Sequence, residues 1–214
     1  MSTVGIIDYG MGNLHSIAKA LQYVADDEQI EISYDPDALA QMDRLVLPGV
    51  GAIGHCMDEL QRLELDQMIR EIQGKKPLLG VCLGIEVLMS YSAESGGVQA
   101  LGAFPGEAVR FADPDNQPDG IRRKIPHMGW NQVRHERDHP LWKDIAPASW
   151  FYFVHSYYVV PEDPKHIAGT TDYGLRFASV ILRDNVFAVQ FHPEKSQSAG
   201  LQLLANFLEW DGKG

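Results

Sequence analysis

The chain has 214 residues, 45% of them hydrophobic and 22% charged, enough for one large domain or two small ones with a buried core. Its formal net charge of −11 argues against a nucleic-acid ligand, because phosphate backbones require clustered Lys and Arg. Only Cys56 and Cys82 are present, which speaks against a disulfide framework and for a reducing cytoplasm; no apolar stretch approaches a membrane span, and Met1-Ser2-Thr3-Val4 leads into a strand rather than a signal peptide.

Val4 to Asp8 reads as a short apolar strand, followed by the glycine-bearing turn Tyr9-Gly10-Met11-Gly12-Asn13. Leu14, Ile17, Ala18, Leu21 and Ala25 then recur at helical spacing. Ile30, Ile32 and Tyr34 alternate as a second strand before an Asp35-Pro36 turn, and Arg44 to Leu47 forms a third, closed by Pro48-Gly49-Val50-Gly51. Met57, Leu60, Met68 and Ile72 predict one long or broken helix before a strand over Leu78–Val81. Strands alternating with helices imply an α/β half with a parallel sheet and right-handed crossovers.

After about residue 95 the texture changes. Gly, Pro and Asp become frequent, as in Gly96-Gly97, Phe104-Pro105-Gly106 and Asp113-Pro114-Asp115. Strand-like runs at Ala108–Phe111, Trp150–Val160, Phe177–Leu182 and Val186–Gln190 replace helices, until Leu201, Leu204 and Leu208 restore helical spacing over Ala199 to Trp210. With no internal repeat or low-complexity linker, residues 1–214 read as one domain with a β-rich second half. The functional crevice of an open α/β sheet lies outside the carboxyl ends of its strands. That rule places the Gly10–Asn13 turn, the Pro48–Gly54 loop and Cys82 along one rim.

In Gly80-Val81-Cys82-Leu83-Gly84 an apolar run ends in Gly-x-Cys-x-Gly with a helix-compatible segment behind it, the sulfur counterpart of a nucleophile elbow. The glycines allow a tight turn and keep side chains away from the sulfur, and a helix N-terminus favours a thiolate. The same pattern also describes a small buried cysteine ending a core strand. A cysteine nucleophile needs a base, and the base needs an orienting group. Among eight histidines, His192 is the best placed, because it ends the run Val186-Phe187-Ala188-Val189-Gln190-Phe191. Glu194, two residues on, can accept a hydrogen bond from its imidazole. Taken alone, His192-Pro193-Glu194 is equally at home in a surface loop. Cys56, Met57, Leu60 and Met68 read as helix-face core residues.

The elbow and the later Gln190-Phe191-His192-Pro193-Glu194 resemble the two signatures of the class I (triad) glutamine amidotransferases. Asp8-Tyr9-Gly10-Met11-Gly12-Asn13-Leu14, Leu47-Pro48-Gly49-Val50-Gly51-Ala52, His127-Met128-Gly129-Trp130-Asn131, Phe153-Val154-His155-Ser156-Tyr157-Tyr158 and His192-Pro193-Glu194-Lys195-Ser196 are similar, within that family, to the glutaminase subunits of imidazole glycerol phosphate synthases. The likeness spans essentially the whole chain. It implies a flavodoxin-like core, a mostly parallel sheet flanked by helices, and a glutaminase that hydrolyses glutamine with a Cys-His-Glu triad. It also implies a heterodimer with a (β/α)-barrel synthase, to which the glutaminase feeds ammonia for making imidazole glycerol phosphate and AICAR in histidine biosynthesis. By position, Cys82 is the nucleophile, His192 the acid/base and Glu194 the orienting carboxylate. Oxyanion donors come from the Leu83 N–H and from a glycine or valine peptide of the Pro48–Gly51 loop, where Gly49 and Gly51 supply flexibility. Glu94 matches a position that binds the α-ammonium of glutamine, and Ser156 and Tyr157 line the same pocket. Asn13 and Lys195 match positions facing the barrel, while Trp130 and His155 fit either the core or the subunit interface. No metal is expected, since no ligand cluster has metal-binding spacing, and no nucleotide cofactor, since no Gly-x-Gly-x-x-Gly or Walker loop is present. Neither nucleic acid nor membrane is an expected partner.

One position departs from the family. The elbow continues as Gly84-Ile85-Glu86, where relatives carry Gly-Met-Gln or a near equivalent. Glu86 falls four residues after Cys82, one helical turn away, in the substrate pocket. An ionised carboxylate there can only accept hydrogen bonds and would oppose a thiolate, unless it is protonated or paired with a cation such as Arg123 or Arg183. The departure leaves room for a paralogous glutaminase feeding a surface-sugar amidotransferase, or for a catalytically silent regulatory subunit.

Overall fold

In the computed structural model, which describes residues 2–113 and 122–213, the first half is built of β1 (Thr3–Ile7), α1 (Leu14–Val24), β2 (Gln29–Ser33), α2 (Pro36–Gln41), β3 (Arg44–Gly49), α3 (Ile53–Arg62), α4 (Leu65–Ile72), β4 (Leu78–Cys82) and α5 (Leu83–Val87). The second half contributes β5 (Met89–Ser92), β6 (Val98–Gln99), β7 (Phe104–Arg110), β8 (His127–His135), β9 (Ser149–His155), β10 (Tyr157–Pro161), β11 (Ile167–Asp172), β12 (Arg176–Arg183), β13 (Val186–Val189) and α6 (Gln197–Glu209). Pro114 and Asp115 of the predicted Asp-Pro-Asp stretch lie outside the described residues.

Along the main path the strands run β2-β1-β3-β4-β13-β12-β10-β7-β5-β6. The block from β2 to β13 is parallel, and β12, β10 and β7 extend it antiparallel. Because β1, β3, β4 and β13 are buried almost throughout, their residues alternate between two cores rather than between core and water, whereas the edge strand β2 is largely exposed. Val46, Leu79 and Val81 face α1 and α6, packing with Ile17, Leu21, Leu204 and Phe207. Leu45, Leu47 and Leu78 face α3 and α4, with Met57, Leu60, Met68 and Ile69. Each such fully buried aliphatic side chain stabilises the fold by about 1.5–3 kcal/mol relative to exposure.

Several expected elements change in detail. Of the long or broken helix expected over Met57–Ile72, the broken form is found: Glu64 takes a left-handed conformation (φ 59°) and separates α3 from α4. The Asp35-Pro36 turn starts a helix, because Asp35 accepts hydrogen bonds from the Asp37 and Ala38 N–H groups and Pro36 occupies the first turn, where it lacks no needed donor. The run Trp150–Val160 is two strands, divided at Ser156. Strand β8, absent from the sequence reading, pairs with β9 in register His127↔His155 through Val133↔Ser149.

The parallel register positions the site. Gly49 lies opposite Cys82, and Val81 opposite Val189. The carboxyl ends of β3, β4 and β13 therefore deliver the Pro48–Gly51 segment, Cys82 and the Gln190–His192 segment to one edge.

Candidate active site

Cys82 sits between β4 and α5 with φ 54° and ψ −113°, a strained backbone for a residue with a Cβ. The flanking glycines hold this turn by packing, not by keeping the sulfur clear. A Cβ on Gly80 would stand 2.8 Å from Ala188 Cβ on β13, and one on Gly84 would overlap the Leu47 carbonyl of β3. The elbow is thus pressed onto both neighbouring strands. Cys82 is only 6% exposed and opens onto a cavity of about 320 Å³ that also contains His192, Leu83, Gly51, Glu94 and Tyr157, the scale of a small-molecule site. A larger groove of about 630 Å³ beside Glu136 and Arg176 is lined by neither cysteine nor histidine.

His192 arrives just beyond β13, its N–H donating to Tyr152 O at 2.9 Å. Its Nδ1 lies 2.8 Å from Glu194 Oε1; since an ionised carboxylate can only accept, Nδ1 is the protonated nitrogen. Nε2 is buried without a hydrogen-bond partner, and the ring lines the cavity that holds the sulfur. Ser196 fixes the backbone here, donating from Oγ to His192 O at 2.6 Å and accepting from Tyr152 N at 2.9 Å. Burial works to lower the His192 pKa, but the Cys82 and Glu194 side chains outweigh it and raise the value to about 10. The ring is thereby built to take and hold a proton beside the sulfur.

Glu86, though buried, is part of the lining of this cavity and accepts a hydrogen bond from Gln190 Nε2 at 3.2 Å. Burial raises its pKa to about 8; the Gln190 bond lowers it somewhat, and the Glu94 charge adds to the rise. Of the two ways to relieve its charge, protonation is the one this setting favours. Arg183 instead donates to Ala103 O at 2.9 Å and lies 3.6 Å from Asp184, and Arg123 acts on Tyr173. Gln190, whose side chain the sequence reading gave no task, is the residue that seats Glu86. A fully buried amide at the end of an apolar strand was the available signal, because it must find a partner.

The remaining expected residues divide. Gly51 lines the cavity with φ +95°, where glycine is required. Gly49 belongs to β3, and its lack of a side chain also serves close packing: a Cβ would meet Tyr9 Oη at 2.6 Å and Leu83 Cβ at 2.7 Å. Glu94 reaches the cavity, yet its Oε2 accepts from the Ile53 N–H at 2.8 Å, tying it to the start of α3. Ser156 and Tyr157 form part of the wall between β9 and β10. His155 also belongs to the buried wall, not to an exposed face. Its Nδ1 donates to Tyr157 O at 2.7 Å and its Nε2 accepts from His127 Nδ1 at 2.8 Å. Burial pushes His155 down to about 3 and His127 to about 4, so both are neutral near pH 7 and His192 is the basic imidazole of the cavity. Trp130 is 42% exposed and stands edge-on to Tyr152, over whose ring the Lys195 ammonium lies at 6.0 Å. Met128 and Trp150, 62% and 54% exposed, extend this apolar face of β8 and β9. Asn13 precedes α1 without capping it and borders a small crevice behind His192 and Glu194. Cys56 is fully buried, its thiol pushed up to about 12 by burial, as befits a core residue.

The family model described as "Glutamine amidotransferase class-I" matches residues 5–210. Among curated proteins, the chain is 52% identical over 212 residues to the imidazole glycerol phosphate synthase subunit HisH of Methylococcus capsulatus, covering 99% of this chain and 98% of that one. It is 49% identical over 213 residues to the HisH subunit of Pseudomonas putida, with 100% of both chains covered. Among solved structures, PurLQS from Thermotoga maritima aligns with a TM-score of 0.71 at 16% identity, covering 97% of this chain and 98% of that one. A glutamine amidotransferase from Thermotoga maritima aligns at 0.63 and 16%, covering 97% and 96%. These two likenesses bear on the fold alone.

Proposed function

The chain belongs to the class-I glutamine amidotransferase family, and from that premise we propose that it is the glutaminase subunit of an imidazole glycerol phosphate synthase in histidine biosynthesis. The observation that carries the chemistry is the His192 ring, held through Nδ1 by Glu194 and lining the cavity of Cys82 while Nε2 stays unpartnered. His192 Nε2 takes the Cys82 proton, and the sulfur attacks the side-chain amide carbon of glutamine. The imidazolium, stabilised by Glu194, passes the proton to the departing nitrogen, and ammonia leaves a γ-glutamyl thioester on Cys82. Water, deprotonated by the same ring, then releases glutamate. The tetrahedral oxyanion of each step is met by backbone N–H groups of Leu83 and of the Gly49–Gly51 segment. Glu94, Ser156, Tyr157 and a neutral Glu86 hold the substrate.

Near-50% identity over the full length of HisH subunits supports this reading over a surface-sugar paralogue, and the complete triad supports it over a silent subunit. The span of the family match, 5–210, supports reading the chain as one amidotransferase domain. Its partner is a (β/α)-barrel synthase, bound as a heterodimer through the face carrying Trp130 and Lys195, with Asn13 beside it, so that ammonia passes directly between the subunits. Among the described residues no helix is long and apolar enough to cross a membrane; a cytoplasmic location is part of this proposal, supported by the two free cysteines, which suit a reducing compartment. Glutamate release by this chain should rise at least about tenfold when its barrel subunit is added, as binding of the partner orders the site. Equal rates with and without the barrel would contradict partner dependence.

A further inference from the structure

Tyr9 follows β1 at the foot of the catalytic rim and is fully buried. Its hydroxyl donates to the Pro48 carbonyl at 2.6 Å, across 39 residues of sequence. The hydroxyl has one proton, and that proton is engaged by Pro48. Gly49 is wedged against the tyrosine oxygen and against Leu83, the residue after the nucleophile. One step further, Val50 is 39% exposed and Gly51 has φ +95°, both on the cavity. Tyr9 itself does not line that cavity.

We propose that Tyr9 is a positioning residue for glutamine hydrolysis: it pins the Pro48–Gly49 peptide from below and confines backbone rotation to the Gly49–Val50–Gly51 segment that presents the second oxyanion donor. The proposal rests on the glutaminase function given above. Oxyanion donors work by being aimed before charge develops. With the Pro48 carbonyl released, the whole strand end can turn and the donor loses its aim, although nothing that binds glutamine has been removed.

The test is Tyr9→Phe in the complex with the barrel subunit, compared with wild type by steady-state glutamine hydrolysis, by the rate of Cys82 alkylation with iodoacetamide followed by peptide mass, and by Tm. Alkylation displaces iodide at a saturated carbon and creates no oxyanion, so it reports on the sulfur without reporting on the hole. The expected result is a kcat lowered about tenfold or more with KM little changed, an unaltered alkylation rate, and a Tm lower by only a few degrees. An unchanged kcat beside an active wild type would overturn the role of Tyr9 and leave the glutaminase function standing. Parallel losses of kcat, alkylation and Tm would also overturn it, by reducing Tyr9 to a fold residue. A wild-type complex that releases no glutamate would overturn the functional reading and this role together.

Discussion

Cys82→Ser is expected to abolish glutamine hydrolysis, by at least about a thousandfold in kcat, since loss of a nucleophile in a catalytic triad removes nearly all of its contribution. The substituted chain should still fold. The elbow is held by Gly80 against Ala188, by Gly84 beneath the Leu47 carbonyl and by the Gly49↔Cys82 register, none of which uses the sulfur. A serine hydroxyl is a far weaker acid than a thiol, so the His192–Glu194 pair, which favours an imidazolium beside the sulfur, has no comparably stable alkoxide to pair with. Glutamate release and Tm measured side by side check this. Activity within tenfold of wild type in Cys82→Ser would transfer the chemistry away from the elbow.

Glu86→Gln is expected to stabilise the protein in a pH-dependent way. In the unfolded chain the carboxyl ionises near 4.5, whereas burial holds it neutral in the folded protein to about 8. Below 4.5 both states bind the proton and the natural residue keeps its full contribution. Between 4.5 and 8 the unfolded chain sheds the proton and the folded chain keeps it, so stability falls with rising pH by up to about 1.4 kcal/mol per unit. Above 8 both are ionised and the loss levels off. A glutamine has no such titration, so urea denaturation should show the variant ahead by a gap that opens from pH 5 and reaches about 2–4 kcal/mol by pH 8. Catalysis follows the same logic. A protonated carboxyl donates and accepts much as an amide does, so the two enzymes should differ little at pH 7, and wild type should fall behind above pH 8. The sequence alone suggests a handicap unless protonation or a cation cancels the charge, and it cannot choose between these because it leaves the burial of this carboxylate undecided. Parallel stability curves for the two proteins would show that Glu86 ionises in the folded protein at the same pH as in the unfolded chain.

The rim was legible because each of its parts lies at the end of an apolar run closed by glycine or proline, as in Leu47-Pro48-Gly49, Val81-Cys82 and Phe191-His192-Pro193. A hydrogen bond between residues two apart, His192 to Glu194, can likewise be anticipated locally. What stayed hidden depends on register. Glu86 and Gln190 are 104 residues apart and meet only because β13 lies beside β4. His127 and His155 meet because β8 and β9 pair, and β8 mixes glycine, polar and aromatic residues in a pattern that gives little apolar alternation. The division of Trp150–Val160 at Ser156 is equally silent, since aromatic and β-branched residues continue across it; only the fold turns the chain there and sets Ser156 and Tyr157 into the cavity wall. The glycines of the elbow were identified, but their work of pressing the turn onto Ala188 and Leu47 requires knowing which strands flank it.

The triad assignment is tested most directly by exposing the complex to an electrophilic analogue of glutamine, one whose side-chain amide is replaced by a diazoketone, and mapping the modified peptide by mass spectrometry. Stoichiometric modification at Cys82, suppressed by excess glutamine and lost in His192→Ala, is the expected result. Modification at Cys56, or none at all in a complex that still hydrolyses glutamine, would contradict it.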